Sequence, residues 1–350
     1  MLTARENMLE VIKGGNPDRV VNQYEALSLT FNAFTMSDPF AEKGTTAETA
    51  KPNKWGIYNA FPENTPGQFP VQDDAHLVIK DIENWQDYVK VPDVRHLPEE
   101  LWAAAKGMYD AVDKTKSIAS VFVAPGLFEQ CHHMATIEEV LIAMYESPDE
   151  LKDLIKALTE FELELADEIC TRIKPESIFH HDDWGSQKST FMSPAMFEEF
   201  FAEPYQQIYG YYHQHGVDLV VHHSDSYAAT LVPAMIDMGI DVWQGAFSTN
   251  DIPELIKKYG GKISFMGGIE NCLVDFADWS EENNRNVIRK TIEECGNKYF
   301  IPCIAQGGPG SVFPGVYKSM WDEIDKYNIE KYGATQEELD ANRVPISIMF

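Results

Sequence analysis

Apolar and polar positions along this chain follow two different periods. Short apolar runs with β-strand composition are separated by longer segments in which apolar residues recur at helical spacing. From residue 117 onward the alternation is regular, and a helical segment follows each apolar run. This order predicts βαβ units and therefore parallel strands.

The predicted strands lie at residues 21–27, within 76–91, and at 117–125, 176–185, 217–225, 239–247, 261–269 and 298–308. About eight strands alternating with helices predict an α/β protein: a (β/α)8 TIM barrel in a single domain spanning 1–350. We also expect an N-terminal helix and a long irregular insertion or lid near residues 35–96, which are rich in Pro, Asn and aromatics. The alternative is a doubly wound open sheet, which normally has a glycine-rich phosphate loop after an early strand; this sequence has none there.

Two of the predicted helices, at residues 147–173 and 193–216, begin with Ser-Pro. Ser147 is the predicted N-cap of the first, with Pro148 at the first helical position and Glu150 completing a capping box. Pro204 lies inside the second helix and predicts a kink. A closing helix is expected near 314–332.

The composition is that of a globular protein, with 44% hydrophobic and 24% charged residues. The 28 basic and 56 acidic residues give a net charge of −28, which argues against nucleic-acid binding and against an anionic membrane surface. The five cysteines are widely spaced without a C-x-x-C pair, which fits a reducing compartment. The N-terminus has the pattern of an amphipathic helix rather than a signal peptide, so we expect a cytoplasmic protein. The sequence is compatible with a homodimer.

Polar side chains that can act in catalysis or bind a metal ion follow nearly every predicted strand. In a (β/α)8 enzyme the active site lies at the carboxyl ends of the strands, so these groups should meet at one rim. They are Tyr24, Glu25, Glu129, His180, His181, Asp182, Asp183, His222, His223, Asp225, Gln244, Glu270, Cys303 and Gln306.

A metal site is predicted from three of these residues. Side chains alternate along a strand, so His223 and Asp225 share one face and can offer an imidazole and a carboxylate to one divalent ion. Cys303, at the end of the last strand, is the third predicted ligand of a zinc ion. The alternatives are a hydrogen-bonded His–Asp pair that fixes a loop, and a cysteine that is a small buried hydrophobe.

The remaining groups receive catalytic, substrate-binding or structural roles. His223, Asp183 and Glu129 are the predicted catalytic residues. The predicted substrate contacts are Tyr24, Glu25, Asp182, Trp184 and Gln306. Asp182 and Asp183 are adjacent, so only one can point into the mouth while the other caps the next turn. His132 and His133 open a predicted helix and are typical of structural residues. Trp184 and the aromatics of 55–70 are candidates for the wall of a planar apolar pocket, with ordinary packing as the alternative.

Several segments resemble the uroporphyrinogen decarboxylase superfamily over nearly the whole chain. The segments are TARENMLEVIKGGNPDRV, APGLFEQCHHMATIEEVLIAMYESPDELKDLI, DDWGSQKSTFMSPAMFEEFFAEPY, HSDSYAATLVPAMIDMGIDVWQG and SFMGGIEN. The resemblance implies the same barrel. The superfamily contains decarboxylases and cobalamin-dependent methyltransferases. The decarboxylases carry an arginine-rich stretch after the first helix, whereas this chain has VVNQYEALSLTFNAF, without arginine.

The thiol-methylating branch has a zinc motif that this chain matches in part. That motif is His-x-Cys-Gly after strand five with a further Cys at strand eight; here the positions are His223, Asp225, Ser226 and Cys303. A zinc ion with fewer thiolates is a harder Lewis acid and suits oxygen better than sulfur. The sequence is therefore most similar to the substrate-side methyltransferases of corrinoid O-demethylase systems.

That resemblance implies a methyl transfer from a methyl ether, often aromatic, to the cob(I)alamin of a small corrinoid carrier protein. It implies zinc or a proton donor at the ether oxygen, and a carrier protein that docks on the barrel rim. Two alternatives stay open: a decarboxylase-type lyase acting on a small carboxylate without metal, and a non-catalytic ligand-binding barrel.

Overall fold

Parallel strands in chain order form the central sheet of the protein. The computed structural model describes residues 1–38, 40–63, 65 and 67–344. Within them the sheet has the order β1-β4-β5-β6-β7-β8-β9, with helices between consecutive strands. Its strands are β1 (Leu27–Phe31), β4 (Ile118–Val123), β5 (Ser177–His181), β6 (Leu219–His223), β7 (Val242–Ala246), β8 (Ser264–Ile269) and β9 (Phe300–Ile304). This curled parallel sheet with its helices confirms the predicted α/β TIM-barrel fold class.

The helices also follow the predicted frame. They are α1 (Ala4–Lys13), α2 (Ala33–Ser37), α3 (Glu99–Asp110), α4 (Leu127–Met134), α5 (Ile137–Glu146), α6 (Pro148–Arg172), α7 (Pro194–Phe197), α8 (Glu203–Gln214), α9 (Val232–Met238), α10 (Ile252–Tyr259), α11 (Asn271–Val274), α12 (Glu281–Cys295), α13 (Val316–Tyr332) and α14 (Gln336–Asn342). The N-terminal, long and closing helices predicted from sequence are α1, α6 and α13. None of the helices in the described part of the chain is long and apolar enough to cross a membrane.

The first part of the barrel differs from the prediction. The strand predicted at 21–27 is a turn, in which Leu27 N–H donates to the Tyr24 carbonyl (2.9 Å), and β1 starts only at Leu27. The strand predicted within 76–91 is absent from the described residues there, and a 3-10 helix at Ile82–Asp87 takes its place. The seam between β9 and β1 is bridged by a side chain, since Gln23 Oε1 accepts a hydrogen bond from Ile304 N–H (3.2 Å).

The irregular insertion packs against the long helix α6. The rings of Phe34 and Trp55 contact Phe161 of α6 with centroid distances of 5.1 and 4.8 Å. Two short antiparallel strands, β2 (Asn59–Ala60) and β3 (Phe69–Pro70), lie within the insertion. This buried aromatic contact attaches the insertion to the barrel wall.

Two local predictions about helix starts need correction. Ser147 makes no side-chain cap of α6, so the predicted capping box is not formed; its hydroxyl contacts Glu83 Oε1 instead (3.3 Å). Pro204 lies near the start of α8 rather than inside one continuous α-helix, because a π-helical turn at Glu198–Ala202 joins α7 to α8. The wider turn accommodates a residue that lacks an N–H.

Alternation along β5 separates the outer core from the barrel interior. Ile178 packs into the apolar layer shared with the helices, whereas Phe179 packs inside against Phe122 with a ring distance of 6.1 Å. His180 and His181 continue this alternation at the end of the strand. His180 therefore faces the helices, where it bonds Glu162 of α6 (2.8 Å), and His181 faces the interior.

Candidate functional site

One row of register partners crosses the sheet near its carboxyl end. The row consists of His181, His223, Gln244, Met266 and Ile301, on strands β5 to β9. The first three members are polar, and they lie next to one another. The sheet therefore brings two imidazoles and an amide together at the barrel mouth.

The two imidazoles of this row are held in matching orientations. The rings of His181 and His223 stack with centroids 4.3 Å apart and 24° between planes. His181 Nδ1 donates to Glu129 Oε2 (2.8 Å), and His223 Nδ1 donates to Gln244 Oε1. A carboxylate and an amide oxygen can only accept hydrogen bonds, so Nδ1 of each ring carries a proton. Nε2 is therefore the nitrogen of each ring that faces a ligand, and its lone pair is available when the ring is neutral.

Asp183 completes a set of three ligand-type groups. His223 Nε2 lies 3.9 Å from Asp183 Oδ1. One ligand atom from each of His181, Asp183 and His223 lies within 4.8 Å of the others; we call these three residues the His-Asp cluster. The side chains of His181 and Asp183 are 25% and 26% exposed, so solutes can reach the cluster. Two imidazole nitrogens and a carboxylate oxygen are a donor set that zinc accepts.

Gln244 owes its position to an irregularity in β7. The pairing of β7 with β8 shifts by one residue between Gln244 and Ala246. Gly245 between them has φ +92°, and a Cβ at this position would lie 2.8 Å from the Ser224 carbonyl oxygen. Only glycine fits this bulge without displacing β6. Gln244 Nε2 in turn donates to the Tyr24 hydroxyl (2.7 Å), which fixes the amide orientation seen by His223.

Carboxylates dominate the electrostatics around the cluster. Burial raises the pKa of Glu129, although the charge of His181 opposes this shift. Burial, reinforced by the charge of Asp183, also raises the pKa of Asp225 well above its usual range. For His181 burial acts to lower the pKa, but Glu129, Asp183 and Asp225 together outweigh it and raise the pKa to about 10. Burial and the neighbouring His181 lower the pKa of His223 to about 4. At neutral pH one ring is therefore cationic and the other neutral.

Asp182 faces away from this mouth and supports helix α4. It is fully buried and accepts hydrogen bonds from Phe128 N–H (3.1 Å), Glu129 N–H (2.7 Å), Trp184 Nε1 (2.8 Å) and the Tyr205 hydroxyl. Burial raises its pKa to about 7. The carboxylate caps the N-terminus of α4 and thereby places Glu129 beside His181.

Glycine allows this close approach of helix and strand. A Cβ on Gly126, which precedes α4, would lie 2.6 Å from Asp182 Cβ and 2.8 Å from His180 Cε1. The start of α4 therefore rests directly on the end of β5.

The predicted catalytic residues lie together at the mouth. His223 and Asp183 belong to the cluster, and Glu129 bonds His181. Asp225 is adjacent, since its N–H donates to Asp183 Oδ1 (2.8 Å). His181 is the member that the sequence prediction did not single out, although it is the register partner of His223.

Cys303 is not brought into the cluster. It is fully buried, its thiol donates to the Ile304 carbonyl (3.1 Å), and burial raises its pKa. It is connected to His223 only indirectly, through Tyr24 and Gln244, which both contact its sulfur. Of the three metal ligands predicted from sequence, His223 belongs to the cluster, Asp225 lies next to it, and Cys303 lies outside it.

The predicted substrate contacts are placed unevenly. Gln306 lies at the rim and bonds Asp225. Tyr24 is buried behind Gln244, and Glu25 is buried beside Arg19, 3.8 Å from its guanidinium. Trp184, fully buried, stacks on His222 at 4.0 Å on the outer face of the sheet. Among these residues, Gln306 is the one that lies where a substrate could contact it. Asp182 instead accepts hydrogen bonds from the start of α4.

Phenylalanine rings continue from the cluster toward the insertion. Phe122 lies 6.5 Å from the His181 ring and contacts Phe31 (6.3 Å) and Phe40 (6.5 Å). Phe40 is 44% exposed. We call Phe31, Phe40 and Phe122 the phenylalanine wall. The candidates for an aromatic wall in the sequence were Trp184 and the aromatics of 55–70, whereas Phe31, Phe40 and Phe122 occupy the side of the mouth next to His181.

Comparison with known proteins identifies the family. The uroporphyrinogen decarboxylase (URO-D) family profile matches residues 52–327, and the chain belongs to this family of enzymes. A methyltransferase from Methanosarcina mazei has a similar structure, with a TM-score of 0.64, 14% identity, and coverage of 93% of this chain and 99% of that one. A xylose isomerase domain protein from Planctomyces limnophilus matches with a TM-score of 0.35, 13% identity, and coverage of 69% and 87%. No curated protein sequence matches the chain.

Proposed function

We propose that this protein is a methyltransferase that moves a methyl group from a methylated small molecule, an aromatic methyl ether, to the cob(I)alamin of a separate corrinoid protein. The observation that carries the proposal is the His-Asp cluster, which offers two imidazole nitrogens and one carboxylate oxygen at the mouth of a URO-D family barrel. The overall likeness to a methyltransferase of the same fold supports it.

The cluster fits a zinc ion better than the set predicted from sequence. Its three ligand atoms lie within 4.8 Å of one another, and its histidines are oriented by acceptors at Nδ1, as metal-binding histidines usually are. We therefore assign His181, Asp183 and His223 as ligands, with Asp225 next to them and Cys303 outside. Bound there, zinc would act as a Lewis acid on the ether oxygen.

The leaving oxygen is the difficult part of this reaction, because an alkoxide or phenolate leaves poorly. When the methyl carbon–oxygen bond breaks, both electrons stay on oxygen while the methyl group passes to the reduced cobalt of the carrier protein. The oxygen then needs a proton. Asp225 is the candidate donor, because it lies beside the cluster, where its N–H donates to Asp183 Oδ1 (2.8 Å), and burial raises the pKa of its carboxyl group. The side chain of Gln306 contacts this carboxyl group.

An aromatic donor fits the apolar side of the mouth. The phenylalanine wall begins 6.5 Å from the His181 ring and ends at the exposed Phe40. An aromatic ring placed against these rings would hold its methoxy oxygen toward the cluster. The carboxylates around the cluster disfavour an anionic donor such as a polycarboxylate.

The test is methyl transfer by zinc-loaded protein under anaerobic conditions. Cob(I)alamin and a panel of methoxybenzenes are supplied, and loss of cob(I)alamin absorbance is followed together with release of the phenol. We expect transfer with at least one neutral methoxybenzene, and a loss of at least 100-fold in Asp225→Asn, which keeps the shape of the carboxyl but cannot supply the proton. Absence of phenol release from every donor, or CO2 release from small aromatic carboxylates instead, would overturn the proposal.

A further inference from the structure

A second group of ligand-type side chains lies on helix α4, outside the His-Asp cluster. One ligand atom from each of Glu129, His132 and His133 lies within 4.8 Å of the other two. These residues stand at positions i, i+3 and i+4 of the helix, a spacing that places them on one face. The helix itself therefore supplies the whole set without help from a loop.

The two imidazoles of this set are packed but remain accessible. The His132 ring lies edge-on to His133 at 4.8 Å and contacts the Phe128 ring at 5.1 Å. Both histidines are partly exposed, whereas Glu129 is buried. The His133 ring makes no hydrogen bond with any residue in the described part of the chain, so its nitrogens are not committed to holding the fold.

The insertion fixes the helix that carries this set. Gln72 Nε2 donates to the carbonyls of His132 and Ala135, the latter at 2.7 Å. Ile79 N–H donates to the Met134 carbonyl (2.8 Å). With Asp182 capping the other end, α4 is held at both termini, and the positions of its three ligand-type residues are preorganised.

Glu129 connects this set to the first one. Its Oε2 atom accepts a hydrogen bond from His181 Nδ1, with 2.8 Å between the two atoms. A carboxylate can bind a cation through one oxygen and accept a hydrogen bond at the other, which is the relation often seen between a carboxylate and a metal-bound histidine. Binding at α4 and binding at the His-Asp cluster are therefore compatible, and they share this hydrogen bond.

We propose that Glu129, His132 and His133 form a second metal site, which takes a divalent first-row transition ion such as zinc. Two imidazole nitrogens and one carboxylate oxygen suit such an ion better than the all-oxygen environment that magnesium and calcium prefer. A cation there would lie beside a mouth rich in carboxylates and would reduce their mutual repulsion. The site does not depend on methyl transfer and would exist with any substrate.

The test counts metal ions in the full-length protein. Metal-free protein is loaded anaerobically with zinc, excess is removed by gel filtration, and bound zinc is measured by mass spectrometry. Cobalt loading provides a visible spectrum of each site. The variants are His132→Ala/His133→Ala, His223→Ala, and His96→Ala as control, because His96 is an exposed histidine (85%) outside both sets.

We expect about two zinc ions per chain in the wild type and in His96→Ala, and about one in each of the other two variants. Unchanged zinc content in His132→Ala/His133→Ala would overturn the second site. Loss of zinc in His132→Ala/His133→Ala together with unchanged zinc content in His223→Ala would support the second site and contradict zinc binding at the His-Asp cluster. If the double variant does not fold, His133→Gln replaces it. One of the two zinc affinities measured for the wild type should then fall at least tenfold. Two affinities equal to those of the wild type would overturn the proposal.

Discussion

His181 and His223 occupy paired positions on adjacent parallel strands, and their rings stack 4.3 Å apart at the barrel mouth. Each ring is fixed from a different direction, His181 by Glu129 of helix α4 and His223 by Gln244 of strand β7. The pair is thus a meeting point of a helix and three strands. Small changes in any of these elements are expected to alter its geometry.

Metal content distinguishes the cluster from the ligand set suggested by the family motif. We expect His181→Ala and His223→Ala each to lose about one zinc per chain, because each removes a ligand from a three-residue set. Cys303→Ser should retain its zinc, since the thiol bonds the Ile304 carbonyl. Cobalt-loaded wild type should also lack the near-ultraviolet absorption of a thiolate ligand. Loss of zinc in Cys303→Ser with that absorption present in the wild type would return Cys303 to the ligand set.

Gln244 is a positioning residue for His223. Gln244→Leu removes the acceptor at His223 Nδ1 but keeps the side-chain volume similar. We expect zinc affinity to fall about 10–100-fold, as is usual when the partner of a metal-bound histidine is lost. Gln244→Glu retains an acceptor and should recover most of the affinity, measured by competition with a zinc chelator. Equal affinities in the Leu and Glu variants would contradict the positioning role.

Phe40 should affect donor binding more than the chemical step. Its ring is 44% exposed at the outer end of the phenylalanine wall, so Phe40→Ala should change stability little. We expect KM for an aromatic methyl donor to rise about 3–30-fold, corresponding to one lost aromatic contact of about 0.5–1.5 kcal/mol plus buried area, with kcat nearly retained. Phe69→Ala is the matched control, because Phe69 is 50% exposed on β3. A fall in kcat at constant KM would argue against a binding role.

Asp182 should matter for folding rather than for substrate affinity. Asp182→Asn turns one acceptor oxygen into a donor that faces other donors at the start of α4. We expect a loss of about 2–4 kcal/mol in the free energy of unfolding, measured by urea denaturation. Asp81→Asn is the control, because Asp81 caps a 3-10 helix at an exposed position and should lose below about 1 kcal/mol. Similar losses in both variants would refute the internal role of Asp182.

Glu25 should make stability depend on pH. Burial raises its pKa from 4.5 to about 7, against the opposing charge of Arg19, so the folded protein holds this proton more tightly than the unfolded chain. Stability from this group is therefore present below pH 4.5 and is lost as pH rises through 7. Glu25→Gln should be more stable than the wild type by about 2–3 kcal/mol at pH 8 and nearly equal at pH 4.5. Glu100→Gln, at an exposed position, is the control; equal stabilisation of Glu25→Gln at both pH values would contradict the shift.

The barrel could be predicted because its strands after residue 117 are apolar runs bounded by helices. The first strand could not, since the apolar pair Val20 and Val21 and the run LSLTF at Leu27–Phe31 are both strand-like, and the sequence does not decide between them. Backbone geometry decides between them: Gln23 has φ +53°, which ends extended structure before Leu27. The insertion shows no regular spacing of apolar residues. The strand within 76–91 was therefore predicted only because a (β/α)8 barrel needs eight strands.

The site was predicted in part for a similar reason. Both faces of a barrel strand are buried, so the sequence HHDD does not reveal which of His180 and His181 faces inward. The register with β6 settles this, and it pairs His181 with His223. Cys303 was selected from its position at the end of the last strand, yet its sulfur contacts Tyr24 and Gln244. Such relations depend on contacts between distant segments, which a single sequence does not display.

Gly245 has no side chain, but the orientation of the Gln244 side chain depends on it. Any larger residue there would press against the Ser224 carbonyl and force β6 and β7 apart beside His223. The chemistry of this mouth is therefore vulnerable at a position that carries none of it. Natural variants that keep every ligand but replace this glycine would preserve the inventory of reactive groups and lose their alignment.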